Sequence, residues 1–375
     1  MERFDAIVVG AGPAGSAAAH RLASAGASVL LLDRAHFPRD KPCGGGLTGR
    51  AVRLLPEPVD SVVEDRATRV RLRAFYRGGY ERASDEPLVL LTQRSRLDAL
   101  LAERAAAAGA DFRDGVRAQE VEGTTVRLGG GGAATADVLV GADGANGVVA
   151  RSLRLAQEIT HGVALEGNAP YDPAYSSTLL LEFGVVPGGY GWLFPKGEHL
   201  NVGVGGWQAE GPRLRDHLTR LCQVYGLRAD ELSGVRGHRL PMRKPSAVLA
   251  RGRAAVIGDA AGLVDPFSGD GIYEALLSAK LAAEAALDVL GGREETLEPY
   301  HHALDAQLAG LLSSSWKLKR AIDRFPRLGL TIVRAPMLWP VIEAVVRGEL
   351  PHPDAANGTA KIPLSALRWL AHRAA

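Results

Sequence analysis

The first 33 residues of this 375-residue chain constrain its fold most, because they alternate strand and helix patterns around a glycine-rich turn. Residues 4–9 are mainly apolar and predict a short buried strand, and residues 29–32 predict a second one. Between them, small residues from 13 to 25 predict a helix that ends at Gly26. A strand–helix–strand unit of about 30 residues places its two strands parallel in one sheet. The chain is therefore predicted to have an α/β fold.

The turn after the first strand has the spacing G-x-G-x-x-G, and Asp33 follows at the end of the second strand, 18 residues after the last glycine. Such a turn lets the backbone and a helix N-terminus approach a pyrophosphate, while the acid accepts hydrogen bonds from ribose hydroxyls. A packing turn with a chance acid is the alternative, but the strand–turn–helix context favours a dinucleotide, either NAD or FAD. The turn residues predicted to bind it are Gly10, Gly12, Pro13, Ala14 and Gly15.

Composition excludes several classes of protein. Lys and Arg (44) nearly balance Asp and Glu (42), so no nucleic-acid partner is expected. The sequence contains no run of 18 apolar residues, so no transmembrane helix is predicted, and the N-terminus lacks the basic segment of a signal peptide. With only Cys43 and Cys222, the chain suits a reducing compartment, and we expect a cytoplasmic protein, with peripheral membrane contact left open. His301-His302 lacks further ligands at suitable spacing, so no metal is expected.

Later segments alternate between two kinds of strand pattern. Residues 67–92 alternate charged and apolar positions and break at Gly78-Gly79, which predicts an antiparallel hairpin with one solvated face. The glycines at 129–132 are predicted to form a hairpin tip. Together, the patterns predict a discontinuous nucleotide-binding domain of residues 1–66, 93–158 and 246–295. An antiparallel-sheet substrate domain of residues 67–92 and 159–245 is predicted to interrupt it, and residues 296–375 are predicted to form a helical C-terminal region.

A second glycine–aspartate turn favours FAD over NAD. Residues 254–257 predict a buried strand that ends at Gly258-Asp259, and a helix is predicted to start at Gly271. This spacing can place the Asp259 carboxylate on a ribityl hydroxyl. It also places the helix N-terminus at the flavin pyrimidine carbonyl, where negative charge develops on reduction. Asp143-Gly144 follows another buried-strand pattern, although both acids could instead cap helices or turns.

Together, the G-x-G-x-x-G turn, the Asp143-Gly144 turn and the Gly258-Asp259 turn resemble the flavoprotein hydroxylase-like superfamily, with its para-hydroxybenzoate-hydroxylase fold. One position departs from it, because the superfamily often has Ser where this chain has Gly147. The resemblance implies contacts of the adenosine ribose with Asp33 and Arg34, of the phosphates with Arg94 and Asp143, and of the ribityl chain with Asp259. The other residues implied to bind FAD are Gly44, Gly45, Gly46, Gly258, Gly269, Gly271 and Ile272.

Two further segments resemble the geranylgeranyl reductase family of flavoproteins. One is residues 34–47, and the other is residues 187–196, which match the family motif P-x-x-Y-x-W-x-F-P at every fixed position. Residues 258–272 also fit the family. The resemblance covers roughly residues 1–290 and leaves the C-terminal region outside it.

The aromatic residues of that motif suit an apolar substrate. On a strand, Tyr190, Trp192 and Phe194 share one face because side chains alternate. Three rings in a row form an apolar wall for a long hydrocarbon. An ordinary sheet core is the alternative, and the resemblance favours the pocket. The residues predicted to bind substrate are Tyr190, Trp192, Phe194 and Pro195.

Cys43 is followed by three glycines, which predicts a loop that passes close to a planar ligand. The family resemblance places this loop beside the flavin ring and makes Cys43 a candidate catalytic residue, for protonation control or for positioning. A small buried thiol without a role is the alternative of equal weight.

The resemblance implies an FAD-dependent oxidoreductase that saturates isoprenoid double bonds of a prenyl lipid or prenyl-quinone. The apolar prenyl chain of the substrate would receive a hydride at one carbon of the double bond and a proton at the other. NAD(P)H or another electron carrier would bind transiently as the reductant, because the sequence has no second dinucleotide motif. An FAD-dependent monooxygenase or hydroxylase of an aromatic or polyketide-like substrate is the alternative. The apolar residues 328–346 are predicted to form a packed helix pair, with an amphipathic membrane patch as the alternative.

Overall fold

The computed structural model describes residues 1–373, with the side chain of Leu330 left out, and it is a mixed α/β structure. Its strands are numbered in chain order: β1 (Glu2–Val9), β2 (Val29–Leu32), β3 (Gly46–Thr48), β4 (Val63–Ala67), β5 (Arg69–Ala74), β6 (Arg77–Ala83), β7 (Val89–Thr92), β8 (Asp111–Arg113), β9 (Ala118–Glu122), β10 (Thr125–Leu128), β11 (Ala133–Gly141), β12 (Ile159–Pro170), β13 (Thr178–Phe183), β14 (Tyr190–Lys196), β15 (His199–Trp207), β16 (Ser233–Arg243), β17 (Ala250–Arg251) and β18 (Ala254–Val256). Its α-helices are α1 (Pro13–Ser24), α2 (Gly49–Val52), α3 (Arg94–Ala107), α4 (Val148–Ser152), α5 (Leu214–Val224), α6 (Ile272–Leu290), α7 (Glu298–Arg324), α8 (Pro326–Val333), α9 (Trp339–Arg347) and α10 (Lys361–Arg373).

The first sheet contains the predicted strand–helix–strand unit, which is confirmed. Strand β1 lies between β2 and β11 and is parallel to both, and β18 continues the parallel part of the sheet beyond β11. Strand β1 ends in four consecutive buried residues, as expected of a strand covered on both faces. Helices α1 and α6 pack together over this sheet. The glycines at 129–132 lie at the tip of the β10–β11 hairpin, also as predicted.

The second sheet has seven strands in the order β16-β12-β15-β14-β13-β5-β6. Adjacent strands in this sheet run antiparallel, except for β13 and β5, which run parallel to each other. Strands β3, β7 and β4 form a separate small sheet. Strand β14 lies in the interior of the seven-stranded sheet, so the aromatic motif is held by neighbours on both sides.

The turn predicted at Gly78-Gly79 is wrong, because both glycines lie within strand β6. The hairpin reverses instead at Phe75 and Tyr76, whose φ angles are 55° and 56°. Aromatic residues are unusual at such left-handed positions. Contacts with the neighbouring strand hold them there, since the Phe75 N–H donates to the Phe183 carbonyl at 2.9 Å and the Tyr76 N–H donates to Glu182 at 2.9 Å.

The C-terminal region is helical, as predicted. Helix α7 packs against α6 and α10, and helices α8 to α10 share a separate apolar cluster. The apolar residues 328–346 fall into two short helices, α8 and α9, joined by a 3₁₀ turn. No single helix in the described chain is long and apolar enough to cross a membrane. The segments Pro326–Val333 and Pro336–Arg347 reach that length and composition only when taken together, and they are bent by 71°.

Candidate active site

One cavity of about 1130 Å³ joins the predicted cofactor residues to the predicted substrate residues. Its walls come from the glycine turn, the Cys43 loop, the loop before α6, the aromatic strand β14 and the C-terminal helices. Three of the predicted site residues do not line it, namely Gly15, Gly258 and Pro195.

The glycine turn leaves backbone exposed to this cavity. An added Cβ at Gly10, whose φ is +103°, would lie 2.3 Å from the Ala142 carbonyl oxygen. At Gly15 it would lie 1.8 Å from the Gly10 oxygen, so this glycine permits the close approach of helix and strand. At Gly12 no atom lies closer than 3.7 Å. Gly12 therefore presents an open backbone face at the start of helix α1, a suitable place for an anion.

Two guanidinium groups flank that open face. The nearest atoms to the added Cβ position of Gly12 are Nη2 of Arg39 at 3.7 Å and Nη2 of Arg94 at 3.8 Å. Arg94 donates two hydrogen bonds to Asp98, at 2.7 and 2.8 Å, and Arg39 donates one at 2.9 Å. Burial lowers the pKa of Arg94, but Asp98 outweighs that effect and the net pKa is raised. Arg94 therefore stays charged beside Gly12.

Asp33 ends strand β2, as predicted, and is 7% exposed. Its carboxylate accepts hydrogen bonds from the N–H groups of Ala11 at 2.9 Å and Ala35 at 3.0 Å, and it pairs with Arg39 at 3.2 Å. The sequence analysis missed Arg39 and Asp98. The i,i+4 spacing of Arg94 and Asp98 could have indicated the second of them.

Asp143 caps helix α4, because its Oδ2 accepts hydrogen bonds from the N–H groups of Val148 and Val149. Its Oδ1 is buried and has no hydrogen-bond partner among the described residues. Burial raises the pKa of this carboxyl group. A Cβ at Gly147 would lie 2.1 Å from Asp143 Oδ1, so the absence of a side chain at this position leaves room for the carboxylate.

Asp259 lies in the turn after strand β18 and carries two basic partners that the sequence analysis missed. Lys41 donates to its Oδ2 at 2.7 Å, and His238 Nε2 lies 3.4 Å from the same oxygen. Burial raises the pKa of Asp259, but the charges and hydrogen bonds of Lys41 and His238 together outweigh it, and the net pKa is lowered. An added Cβ at Gly271 would lie 3.5 Å from Asp259 Oδ1, so this carboxylate stands at the N-terminus of α6.

The glycines after Cys43 fit protein neighbours as well as the cavity. Gly45 has a φ of +67°, which favours glycine. The nearest atoms to an added Cβ belong to Phe194 for Gly44 (3.0 Å), to Thr92 for Gly45 (2.1 Å) and to Val89 for Gly46 (3.0 Å). Close protein packing is therefore enough to require glycine at position 45, whereas side chains at positions 44 and 46 would need only small shifts of Phe194 and Val89.

Two buried ionisable residues hold the backbone of Cys43. Its N–H donates to Glu166 Oε1 at 2.6 Å, and its carbonyl oxygen accepts from Lys196 Nζ at 2.7 Å. The Cys43 sulfur accepts a hydrogen bond from the Gly45 N–H at 3.3 Å. Burial raises the pKa of Glu166 and lowers that of Lys196. Neither residue was predicted from the sequence, because each lies more than 120 residues away along the chain.

Strand β14 places the three predicted aromatic rings in a row along the cavity. The ring centroids of Tyr190 and Trp192 are 6.1 Å apart, and those of Trp192 and Phe194 are 6.4 Å apart. Trp192 Nε1 donates to Asn201 Oδ1 at 2.7 Å, which satisfies its polar atom. Pro195 has its side chain on the opposite face of the strand, as alternation requires.

The C-terminal helices close the far end of the cavity, a role the sequence analysis did not assign to them. Helix α7 contributes one wall, and α9 and α10 contribute another. The apolar side chains involved include Leu318, Ile322, Leu338, Val341, Leu364 and Leu367.

Comparisons with known proteins agree with this geometry. Residues 3–174 match the family described as FAD binding domain. Geranylgeranyl diphosphate reductase of Rhodobacter capsulatus is 35% identical over 305 residues, which cover 77% of this chain and 76% of that protein. Menaquinone reductase of Mycobacterium tuberculosis is 36% identical over 310 residues, which cover 75% of this chain and 76% of that protein.

A solved structure supports the predicted fold over the whole chain. The geranylgeranyl bacteriochlorophyll reductase-like protein of Thermoplasma acidophilum superposes with a TM-score of 0.81 at 20% identity, covering 98% of this chain and 97% of that one. The resemblance inferred from the glycine turns and the aromatic motif is thereby confirmed. The chain belongs to the geranylgeranyl reductase family of FAD-dependent oxidoreductases.

Proposed function

We propose that this protein reduces isoprenoid double bonds of a prenyl lipid or prenyl-quinone. The observation that carries the proposal is the continuity of the cavity. The glycine turn and the aromatic wall open into the same space, which continues between apolar C-terminal helices. A long hydrocarbon could lie along this path with one end at the cofactor.

The residues present fit FAD. We assign the pyrophosphate to the open face of Gly12 between Arg39 and Arg94, and we assign the adenosine ribose to Asp33 and Arg34. The unpaired Oδ1 of half-buried Asp143 offers a further polar contact near the same turn. Asp259 is suited to the ribityl chain and the N-terminus of α6 to the flavin ring, with Gly269, Gly271 and Ile272 nearby in the cavity wall. When bound and reduced, FAD supplies the hydride for the alkene.

The chain itself positions the substrate and excludes water. An isolated alkene is a poor hydride acceptor, so its reduction depends on exact placement in a dry site. Tyr190, Trp192 and Phe194 supply a rigid apolar surface for that purpose. Glu166 and Lys196 fix the Cys43 loop against this surface through backbone hydrogen bonds at 2.6 and 2.7 Å.

The cations around the far end of the cavity are mostly paired but outnumber their carboxylates. Four of them lie within 4 Å of three carboxylates, because Asp354 pairs with two of them. These pairs are Arg73–Glu182 (3.4 Å), Lys317–Asp354 (3.3 Å), Lys319–Asp323 (3.3 Å) and Arg368–Asp354 (3.7 Å). Within the described chain, Arg334 lines this end without such a partner.

The reductant and the location are part of the same proposal. NAD(P)H or another electron carrier would bind transiently to reduce FAD, because the sequence has one dinucleotide motif. We also propose that the protein works in the cytoplasm and contacts membranes through its C-terminal region. Four large apolar side chains are exposed there: Leu328 (49%), Met337 (41%), Ile362 (72%) and Trp369 (54%). Arg373 stacks on Trp369 at 4.2 Å and would face anionic head groups.

One anaerobic assay tests the proposed reaction. The dithionite-reduced holoenzyme is mixed with a menaquinone or with a geranylgeranyl lipid, and the product is examined by mass spectrometry. We expect gains of two hydrogens per reduced double bond. No gain with any prenyl substrate, together with oxygen-dependent hydroxylation of an aromatic compound, would instead support a monooxygenase.

A further inference from the structure

A buried group of three carboxylates lies where the cofactor end of the cavity meets the aromatic wall. Asp265 and Asp270 precede helix α6, and Glu274 lies in its first turn. Asp265 is 3% exposed and Glu274 is fully buried, whereas the Asp270 side chain is 16% exposed. Arg50 faces the group, with Nη2 at 3.5 Å from Glu274 Oε1 and at 3.9 Å from Asp270 Oδ2.

Four of the six carboxyl oxygens in this group have no hydrogen-bond donor among the described residues. Asp265 Oδ1 accepts from the Ser268 N–H at 2.7 Å and its hydroxyl at 2.8 Å, and Asp270 Oδ1 accepts from the Ile272 N–H at 3.0 Å. The second oxygen of each aspartate and both oxygens of Glu274 are buried and have no hydrogen-bond partner among the described residues. Ionised carboxylates are costly to bury in this state, whereas protonated ones can donate to a neighbour.

The charge balance leads to the same conclusion. Three carboxylates around one guanidinium would leave a net charge of −2 in a buried space, and like charges at such distances cannot all ionise. Burial raises the pKa of Asp270, and it raises that of Glu274 well above its usual value, although Arg50 opposes both shifts. The burial and the shortage of positive charge therefore both favour the protonated forms of Asp270 and Glu274.

The other titratable groups around the cluster do not neutralise it. Tyr273 stacks under Arg50 at 4.2 Å, and burial raises its pKa, as it does that of Tyr190. Both phenols are therefore neutral. The charge of Asp265 raises the pKa of Lys319 on α7, but Lys319 is paired with Asp323 at 3.3 Å.

Asp270 is also placed to reach a substrate. It lines the cavity and directly precedes Gly271, the N-cap residue of helix α6. An added Cβ on the neighbouring Gly269 would lie 3.5 Å from the Tyr190 hydroxyl oxygen. In the same loop, Phe267 stacks on Phe183 of the aromatic wall, with centroids 6.1 Å apart. The loop that carries Asp270 thus joins the N-terminus of α6, where the flavin is expected, to the wall that would hold the prenyl chain.

We propose that Asp270 donates the proton that completes alkene reduction, and that buried Glu274 keeps it supplied with protons. This inference rests on the proposed reductase function. One alkene carbon gains a hydride, with its electron pair, from the reduced flavin, which is thereby oxidised. The other carbon forms a bond to the proton as the O–H bond of Asp270 breaks. Asp270 is left as a carboxylate and is reprotonated from solvent or from Glu274.

Two measurements on the holoenzyme test this. In single-turnover reduction of a menaquinone, Asp270→Asn should lower the rate of product formation about 100-fold or more, because general acids contribute that much. Dithionite reduction of the bound flavin should be unchanged. Infrared spectra should show a protonated carboxyl band at pH 7 that shifts in D₂O. This band should be lost or moved in Glu274→Gln but kept in Glu284→Gln, a control on the same helix whose side chain is 56% exposed.

Each outcome decides the matter. The proposal is overturned if Asp270→Asn forms product within threefold of the wild-type rate, or if no carboxyl band exists at pH 7. A slow Asp270→Asn variant with the wild-type pH profile would make Asp270 a positioning residue and also refute proton donation. If Asp270→Asn does not fold, Asp270→Glu is expected to retain product formation with a shifted pH profile. If the wild type reduces no prenyl substrate but keeps the band, the proposed function fails, and with it the donor role, while the buried proton stands.

Discussion

Asp98→Asn removes one negative charge from the centre of the site without changing the shape of the side chain. Asp98 is fully buried and accepts three hydrogen bonds, two from Arg94 and one from Arg39. The amide can accept from one guanidinium, but its NH₂ group would face another donor. The variant therefore leaves buried Arg94 without its counter-ion, while half-buried Arg39 keeps Asp33 at 3.2 Å.

The expected loss of stability follows from this burial. Breaking a buried ion pair by removing one partner costs about 3–5 kcal/mol. With an unfolding entropy of about 2.1 cal/mol/K per residue, this 375-residue chain has roughly 0.8 kcal/mol/K in total, so the apoprotein Tm should fall by about 4–6 °C. The diphosphate of FAD would bring negative charge to the same guanidiniums. The Tm of the holoprotein should therefore fall by less.

Differential scanning fluorimetry of apo and FAD-loaded protein measures both shifts. Asp137→Asn is the matched control, because this carboxylate is one-third exposed, pairs only with exposed Arg3 and should change stability by no more than about 0.5 kcal/mol. An equal loss of Tm in apo and holo Asp98→Asn would refute the placement of the pyrophosphate between Arg39 and Arg94. A loss below about 1 °C in the apoprotein would refute the role of Asp98 as their counter-ion.

Three further variants test other parts of the site. Gly15→Ala should abolish FAD binding in a flavin-fluorescence titration, because its Cβ would lie 1.8 Å from a backbone oxygen, and full FAD occupancy would contradict the turn geometry. Trp192→Ala should lower prenyl turnover at least tenfold while FAD affinity is unchanged, and full turnover would remove this ring from the substrate wall. The double variant Ile362→Glu/Trp369→Glu should reduce co-sedimentation with vesicles containing phosphatidylglycerol several-fold. The control Val248→Glu, which changes a 47% exposed side chain outside the C-terminal region, should leave co-sedimentation unchanged. Equal binding by all of these proteins would exclude the α10 surface as the membrane contact.

The parts of the site that were predicted from sequence depend on local spacing. Gly10, Gly12 and Asp33 belong to a single strand–helix–strand unit, so the order of residues alone brings them together. The aromatic row on β14 follows from alternation along one strand in the same way. These local patterns, with the glycine–aspartate turn at 258–259, were also sufficient to indicate the fold.

What was missed depends on long-range packing. Lys41 reaches Asp259 across 218 positions, and no pattern in either segment specifies that pairing. The hairpin turn was misplaced because glycine is the usual residue at positive φ, whereas here contacts with β13 hold Phe75 and Tyr76 in that conformation. The C-terminal helices were recognised as helices, but their apolar faces do not reveal which surface they cover.

The hydrogen bonds that hold Cys43 have a consequence for the order of events during synthesis. Residue 43 emerges from the ribosome early, but its carbonyl oxygen is fixed by Lys196, 153 positions later. Strand β1 likewise needs β11, and β11 needs β18, before the parallel sheet is complete. Contacts of such long sequence separation form slowly, because the intervening chain must be ordered first. A nascent chain that stops before β18 would therefore have an incomplete parallel sheet at its cofactor site, so FAD binding would be expected only late in translation or after release.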